Sequence, residues 1–225
     1  MSDRHTLLRA VLENPADDTA RLVLADSLRE SDDRADQLQG QFLWAGVIAH
    51  QYAGRSLEYD RYRLAMKELE PIIHAGHPAR WLANLGIGPS PLIRGDWTFK
   101  VKDDRLTIRI DHYVGVFTRG MLSSMTVPLG EIFQLGLRAL ESWPLERVDI
   151  ADIPGLAFFL KPKGQKWELI VRYDRQMRNI PVTSEHRLRT ARVSFPDRDS
   201  LLNSPPSDRE ELVIRVRRFL EQLGR

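Results

Sequence analysis

The chain contains no cysteine, which excludes disulfide staples, thiolate zinc ligands, thiol nucleophiles and CxxC redox chemistry. That absence fits a reducing compartment. No apolar run approaches the ~20 residues needed to span a bilayer, and the stretch MSDRHTLLRAVLENP has no apolar core of the signal-peptide kind. A soluble, cytoplasmic protein without a membrane partner is therefore expected. Catalytic fingerprints are missing as well: there is no GxSxG elbow, GxxxxGK loop, GxGxxG turn or HExxH helix. Gly86-Ile87-Gly88-Pro89 is too short and proline-bound to cradle a phosphate, and no Ser, His and Asp are spaced as a nucleophile with its base. The expectation is a protein that is not an enzyme and that carries no cofactor and no metal.

What is present is a folding composition. The 225 residues are 42% hydrophobic and 28% charged, enough for one large domain or two small ones around a real core. The net charge of +2 hides an uneven distribution. Residues 1–76 hold 9 Lys/Arg against 13 Asp/Glu, whereas residues 161–195 hold 9 against 3. An acidic front is thus followed by a basic patch.

The first third has helical periodicity. Leu7, Leu8, Val11 and Leu12 share one face of a helix that Asn14-Pro15 stops. Asp17 or Asp18 can cap a second helix, which should bury Leu22, Val23, Ala25 and Leu28. Ser31-Asp32-Asp33 supplies a break and a fresh cap, and Leu38, Phe42, Val47 and Ile48 mark a third helix to about Tyr52. A fourth, about Leu57–His74, carries Tyr62, Met66 and Leu69 with Leu64 on its flank and Pro71 near its end.

The run NPADDTARLVLADSLRESDDRADQLQGQ resembles the bacterial repeat-companion domain, whose pattern is close to P-x-D-D-x-x-R-L-V-x-A-D-W-L-E-E-x-G-D-x-R-A-E-F-I-x-x-Q. Matching positions are Pro15, Asp17, Asp18, Arg21, Leu22, Val23, Ala25, Asp26, Leu28 and Glu30. Asp32, Arg34, Ala35 and Gln41 follow after a one-residue deletion before Ser31, while Ser27 replaces the usual Trp and Ser31 the usual Gly. HAGHPARWLANLG is similar to the helix and Trp-Leu segment that often follows this module. RGMLSSMTVPLGEIFQLGLRALESWPLERVDIADI is similar to the strand, helix, strand unit that opens the leucine-rich-repeat-like part of such proteins. The resemblance implies a module that accompanies a repeat region and for which no activity is established.

From Trp97 the period changes to two. WTFKVK and RLTIRI alternate around Asp103-Asp104 as a hairpin, and Tyr113–Phe117 and Met121–Val127 form a second strand pair around Arg119-Gly120. Pro128 opens a helix with Ile132, Phe133, Leu135, Leu137 and Leu140, stopped at Trp143-Pro144, and Leu145–Ile150 is the next strand. This is one β-α-β unit, where a solenoid needs about three repeats or more. Trp167–Tyr173 and Leu188–Phe195 are further strands around a basic loop, Asp174–Arg187. A last helix, about Ser207–Leu223, has an apolar face of Leu212, Val213, Val216, Phe219, Leu220 and Leu223.

Candidate sites are few. His74 and His77 at i, i+3 lack the further ligands of a metal site, and the cationic end of a helix explains them as well. Asp17, Asp18, Asp26, Asp32, Asp33 and Asp36 lack the spacing and glycine of a calcium loop. Caps explain several of them, while Asp26, beside the apolar stripe, is expected to pair with Arg21. An enzymatic role would need His112 or His186 beside a carboxylate. The basic stretch is the one region with functional character. Lys161, Lys163, Lys166, Arg172, Arg175, Arg178, Arg187, Arg189 and Arg192 interleave with Trp167 and Tyr173, a mixture that can pair with phosphates and stack on bases. The same cations can equally decorate a solvated edge or meet an acidic protein surface.

The expected fold is α+β: a four-helix, repeat-companion-like module over 1–87, then a domain over 88–225 with a mixed sheet, one β-α-β unit and a C-terminal helix. The expected function is non-enzymatic, as an interaction protein or accessory subunit with a protein partner. Nucleic-acid binding through 161–195 is the alternative.

Overall fold

The computed structural model describes residues 3–85, 97–110, 113–128, 131, 139, 142–151, 156–163, 166–173 and 189–195. Its class is α+β, with helices before Leu85 and strands from Trp97 onward. The helices are α1 (Asp3–Glu13), α2 (Asp18–Arg29), α3 (Arg34–Tyr52), α4 (Tyr59–His74) and α5 (His77–Asn84), with a 3-10 turn at Ser56–Glu58. The strands are β1 (Trp97–Lys102), β2 (Arg105–Ile110), β3 (Tyr113–Thr118), β4 (Met121–Val127), β5 (Arg147–Ile150), β6 (Leu156–Lys163), β7 (Lys166–Tyr173) and β8 (Arg189–Phe195). The chain forms two compact units. One is Met1–Met125 with Ser142–Pro144, and the other is Thr126–Glu141 with Leu145–Arg225.

In the first unit the short carboxylates start the helices as expected. Asp17 accepts from the amides of Thr19 at 2.8 Å and Ala20 at 3.4 Å, and Asp33 accepts from Ala35 at 2.8 Å. These bonds occupy amides that a helix leaves without an internal partner. The described part of residues 1–87 has five helices rather than the four expected, because Gly76, at φ 74°, turns the chain out of α4 and His77-Pro78 starts α5. Its fourth helix starts at Tyr59, and Leu57 lies in the 3-10 turn with 99% of its surface exposed.

The buried face of α2 differs from expectation. Arg21, Leu24, Ala25 and Leu28 are buried, at i, i+3, i+4 and i+7, while Val23 is 48% exposed. An arginine thus takes a position that hydropathy assigns to an apolar residue. Its guanidinium donates from Nη1 to the Pro15 carbonyl, which gives the cation a partner within the core. Asp26 is not its partner: that carboxylate is 62% exposed and pairs with Arg29 at 3.6 Å.

Helix α3 lies against the β3–β4 turn through two glycines. A Cβ on Gly46 would stand 2.2 Å from the Gly120 nitrogen, and one on Gly120 would stand 2.5 Å from the Leu43 Cα. Only backbone fits between them. The turn has φ 54° at Arg119 and 71° at Gly120, the left-handed pair that suits a two-residue hairpin. Antiparallel pairing runs from Trp97↔Ile110 to Lys102↔Arg105 and from Arg105↔Thr118 to Ile110↔Tyr113. Leu106, Ile108 and Ile110 on β2 and Tyr113 and Phe117 on β3 are buried on one face. Phe42, Trp81, Phe117 and Trp143 form an aromatic core, with centroid distances of 5.0 Å for Phe42–Trp81 and 5.8 Å for both Phe42–Phe117 and Phe117–Trp143.

In the second unit Ala151 donates to the Val127 carbonyl at 2.9 Å, and β5 to β8 follow as consecutive antiparallel neighbours. Strand β6 was not expected from the sequence. LAFFLKPK is an unbroken apolar run ending in charge and proline, so it lacks the alternation that marks a strand. The expected helices over 128–142 and 207–223 fall mostly or wholly outside the described residues, as does the basic loop from Asp174 to Arg187.

Candidate functional site

Strands β5 to β8 decide how the basic stretch is arranged. Lys161 and Lys163 end β6, Lys166 and Trp167 begin β7, Arg172 is near its end, and Arg189 and Arg192 are on β8. Arg175, Arg178 and Arg187 lie outside the described residues. The register pairs Lys163 with Lys166, Lys161 with Glu168, Ala157 with Arg172, and Tyr173 with Leu156. It then pairs Ile170 with Arg192, Arg172 with Thr190, and Tyr173 with Arg189.

Successive residues of a strand alternate between the two faces, and directly opposed residues share one. Lys161, Lys163, Lys166, Arg172 and Arg192 therefore belong to a single face, where Glu168 is the one acidic residue of these three strands. The other face collects Leu156, Phe158, Leu160, Trp167, Leu169 and Val171, joined by Ala191, Val193 and Phe195, with Arg189 at its end. A single strand such as Arg187–Val193 shows no such separation in the sequence. The sorting emerges only when three strands are placed in register.

Strand β5 continues the two faces. Arg147 stands opposite Phe159 and Asp149 opposite Ala157, so both belong to the charged face. Their side chains keep 41% and 34% of their surface and pair at 2.6 Å. Val148 and Ile150, of the opposite parity, are 7% and 3% exposed. Arg147 adds a basic residue to the charged face, paired there with Asp149. It was missed in the sequence because it lies outside the 161–195 window, and its alternation in RVDI was the signal that could have found it.

The register also separates residues that the sequence placed together. Trp167 and Tyr173 fall on the apolar face, and Phe159 is the aromatic residue that shares the face of the cations. The expected mixture of bases and aromatic platforms on one surface is not formed by these strands.

Elsewhere, the histidines and acids are engaged locally. The ring of His74 meets Phe99 edge-on at 5.2 Å, and His77 lies 6.4 Å from Trp81. Burial, with Arg80 and Arg34 nearby, lowers the His77 pKa. His112 and His186 lie outside the described residues. A different pair was not foreseen: His50 Nδ1 on α3 lies 2.6 Å from Asp104 in the β1–β2 turn. The Tyr62 hydroxyl donates to the Asp103 carbonyl of the same turn at 2.9 Å, and burial and the Asp103 charge raise its pKa. Together they fasten the hairpin tip to α3 and α4. Asp36 accepts from Arg4 at 2.7 Å, and Asp18 lies 3.5 Å from Arg119. Among the described residues, no three His, Asp or Glu side chains stand together as a metal-binding set. No helix among them is long and apolar enough to cross a membrane. Comparison with known proteins adds no relative to this geometry: no protein family, no curated protein and no solved structure matches the chain.

Proposed function

We propose that this chain is a non-catalytic interaction protein, an accessory subunit whose charged sheet face docks on an acidic surface of a protein partner. The observation that carries the reading is the register of β6, β7 and β8, which gathers five basic residues and one acid on one face. Such a field speeds encounter with an acidic partner and sets its orientation. On β5, Arg147 belongs to the same face and keeps 41% of its side-chain surface. The likeness of Pro15–Gln41 to the repeat-companion module is in keeping with an accessory role.

Nucleic acid is the second reading, and the position of the aromatics weighs against it. Binding of single strands draws much of its strength from bases stacked on rings among the cations. Here Trp167 and Tyr173 belong to the opposite face. Capture of partners by the native protein, with and without nuclease, separates the two readings. The protein reading expects an acidic partner retained after nuclease, released by moderate salt, and lost from the Lys161→Glu/Lys166→Glu/Arg192→Glu variant. Loss of the bound material to nuclease would establish the nucleic-acid reading instead. Equal capture by the variant would remove both.

A further inference from the structure

We propose that a recess in the first unit is a binding site for a small, uncharged molecule with an apolar body and a carbonyl acceptor at one end. The recess has a volume of about 310 Å³. That volume is at the lower end of natural ligand sites. Its floor is apolar: Leu24, Leu28, Leu43 and Trp143 line it and are themselves no more than 5% exposed. Four residues with polar side chains also line it, Arg4, Gln39, Asn84 and Ser142. An apolar pocket with a few placed polar groups is the usual form of a small-molecule site.

Arg4 defines the head group. Its Nη1 donates to both oxygens of Asp36 at 2.7 Å, and Asp36 accepts in turn from the Ser31 hydroxyl at 3.2 Å. The guanidinium is thereby held through one nitrogen, while its Nε and Nη2 hydrogens remain available by valence. Asp36 already balances its charge. A carboxylate ligand would add an uncompensated negative charge beside Asp36, and an ammonium would meet the guanidinium itself. A carbonyl oxygen accepts from Arg4 at neither cost, and Gln39, Asn84 and Ser142 bring further donors to the lining. This inference is independent of the charged face in the second unit.

Trp81 and Trp143 both line the recess, so the protein reports its own occupancy. Octanamide is the probe, with octanoate and octylamine as charged counterparts of the same length. The expected result is saturable quenching or shift of tryptophan emission by octanamide, with weaker binding of both charged probes. By calorimetry, Arg4→Met should weaken octanamide about tenfold, the effect of losing one hydrogen bond to a charged donor. Leu8→Trp, a half-buried lining position, should fill the recess and abolish binding. Absence of saturable binding, octanoate binding more tightly than octanamide, or unchanged affinity in Arg4→Met would overturn the proposal. Arg4→Met concerns a side chain that is 49% exposed, so it keeps the test open should Leu8→Trp fail to fold.

Discussion

The helical region and the β6–β8 strands use charge in opposite ways. In the helical region acids outnumber bases, yet several of them, like Asp104 in the neighbouring hairpin, are bound to a group that needs them. Asp17 and Asp33 cap helices, Asp36 clasps Arg4, and Asp104 holds His50. In the strands the bases are in excess and the register gathers them on one face, with Lys163 set directly opposite Lys166. Like charges opposed across strands are unfavourable. The difference separates charge that holds a fold together from charge that stability alone does not call for.

The largest expected effect lies in the first unit, where close backbone packing adds to what charge holds in place. Gly46→Ala and Gly120→Ala each force a methyl into backbone at 2.2 and 2.5 Å, and Gly120 also has a φ of 71°. Each should cost about 2–3 kcal/mol, read from the midpoint of urea unfolding. Full stability in both would show that α3 does not rest on the β3–β4 turn.

A smaller effect is expected where an acid holds an element in place. A double-mutant cycle of His50→Ala with Asp104→Ala should give a coupling of about 1 kcal/mol. Asp26→Asn, by contrast, should change stability by less than about 0.5 kcal/mol, because that carboxylate is exposed rather than paired with Arg21. A cycle with no coupling, or a large loss for Asp26→Asn, would blur the distinction.

The strands predict the reverse sign. Lys163→Glu replaces an opposed like pair by an opposite one and should stabilise the chain by about 0.2–1 kcal/mol, at the expense of binding to an acidic partner. Destabilisation by this change would contradict the register.

The smallest effect is a pH dependence. His77 has its pKa lowered from 6.5, so the unfolded ring holds a proton more tightly than the folded one. Its stabilising contribution is complete above about pH 6.5 and declines as pH falls through the lower folded value. His77→Gln should flatten the stability profile in that window, and an unaltered profile would show that the ring is not desolvated.

Particular residues explain how much of this was legible in the sequence. Local chemistry read directly: Asp17 and Asp33 cap because short carboxylates suit free amides, and WTFKVK and RLTIRI pair because alternation marks a one-sided strand. Arg21 misled, since hydropathy places arginine outside while the Pro15 carbonyl lets it sit within. Strand β6 was hidden by its continuous apolar run. The charged face was beyond a single strand's pattern altogether. Pairings between residues far apart in the chain create it, and only the register of β6, β7 and β8 supplies them. His50 and Asp104, 54 positions apart, were out of reach for the same reason.

The cysteine-free chain permits a direct test of the two-faced sheet. Single cysteines at Lys163, Lys166 and Arg192 on one face, and at Leu169 and Val193 on the other, can be labelled in the folded protein with a thiol reagent. Fast labelling of the first three and protection of the last two is the expected result. Equal rates on the two faces would contradict the arrangement from which the docking function follows.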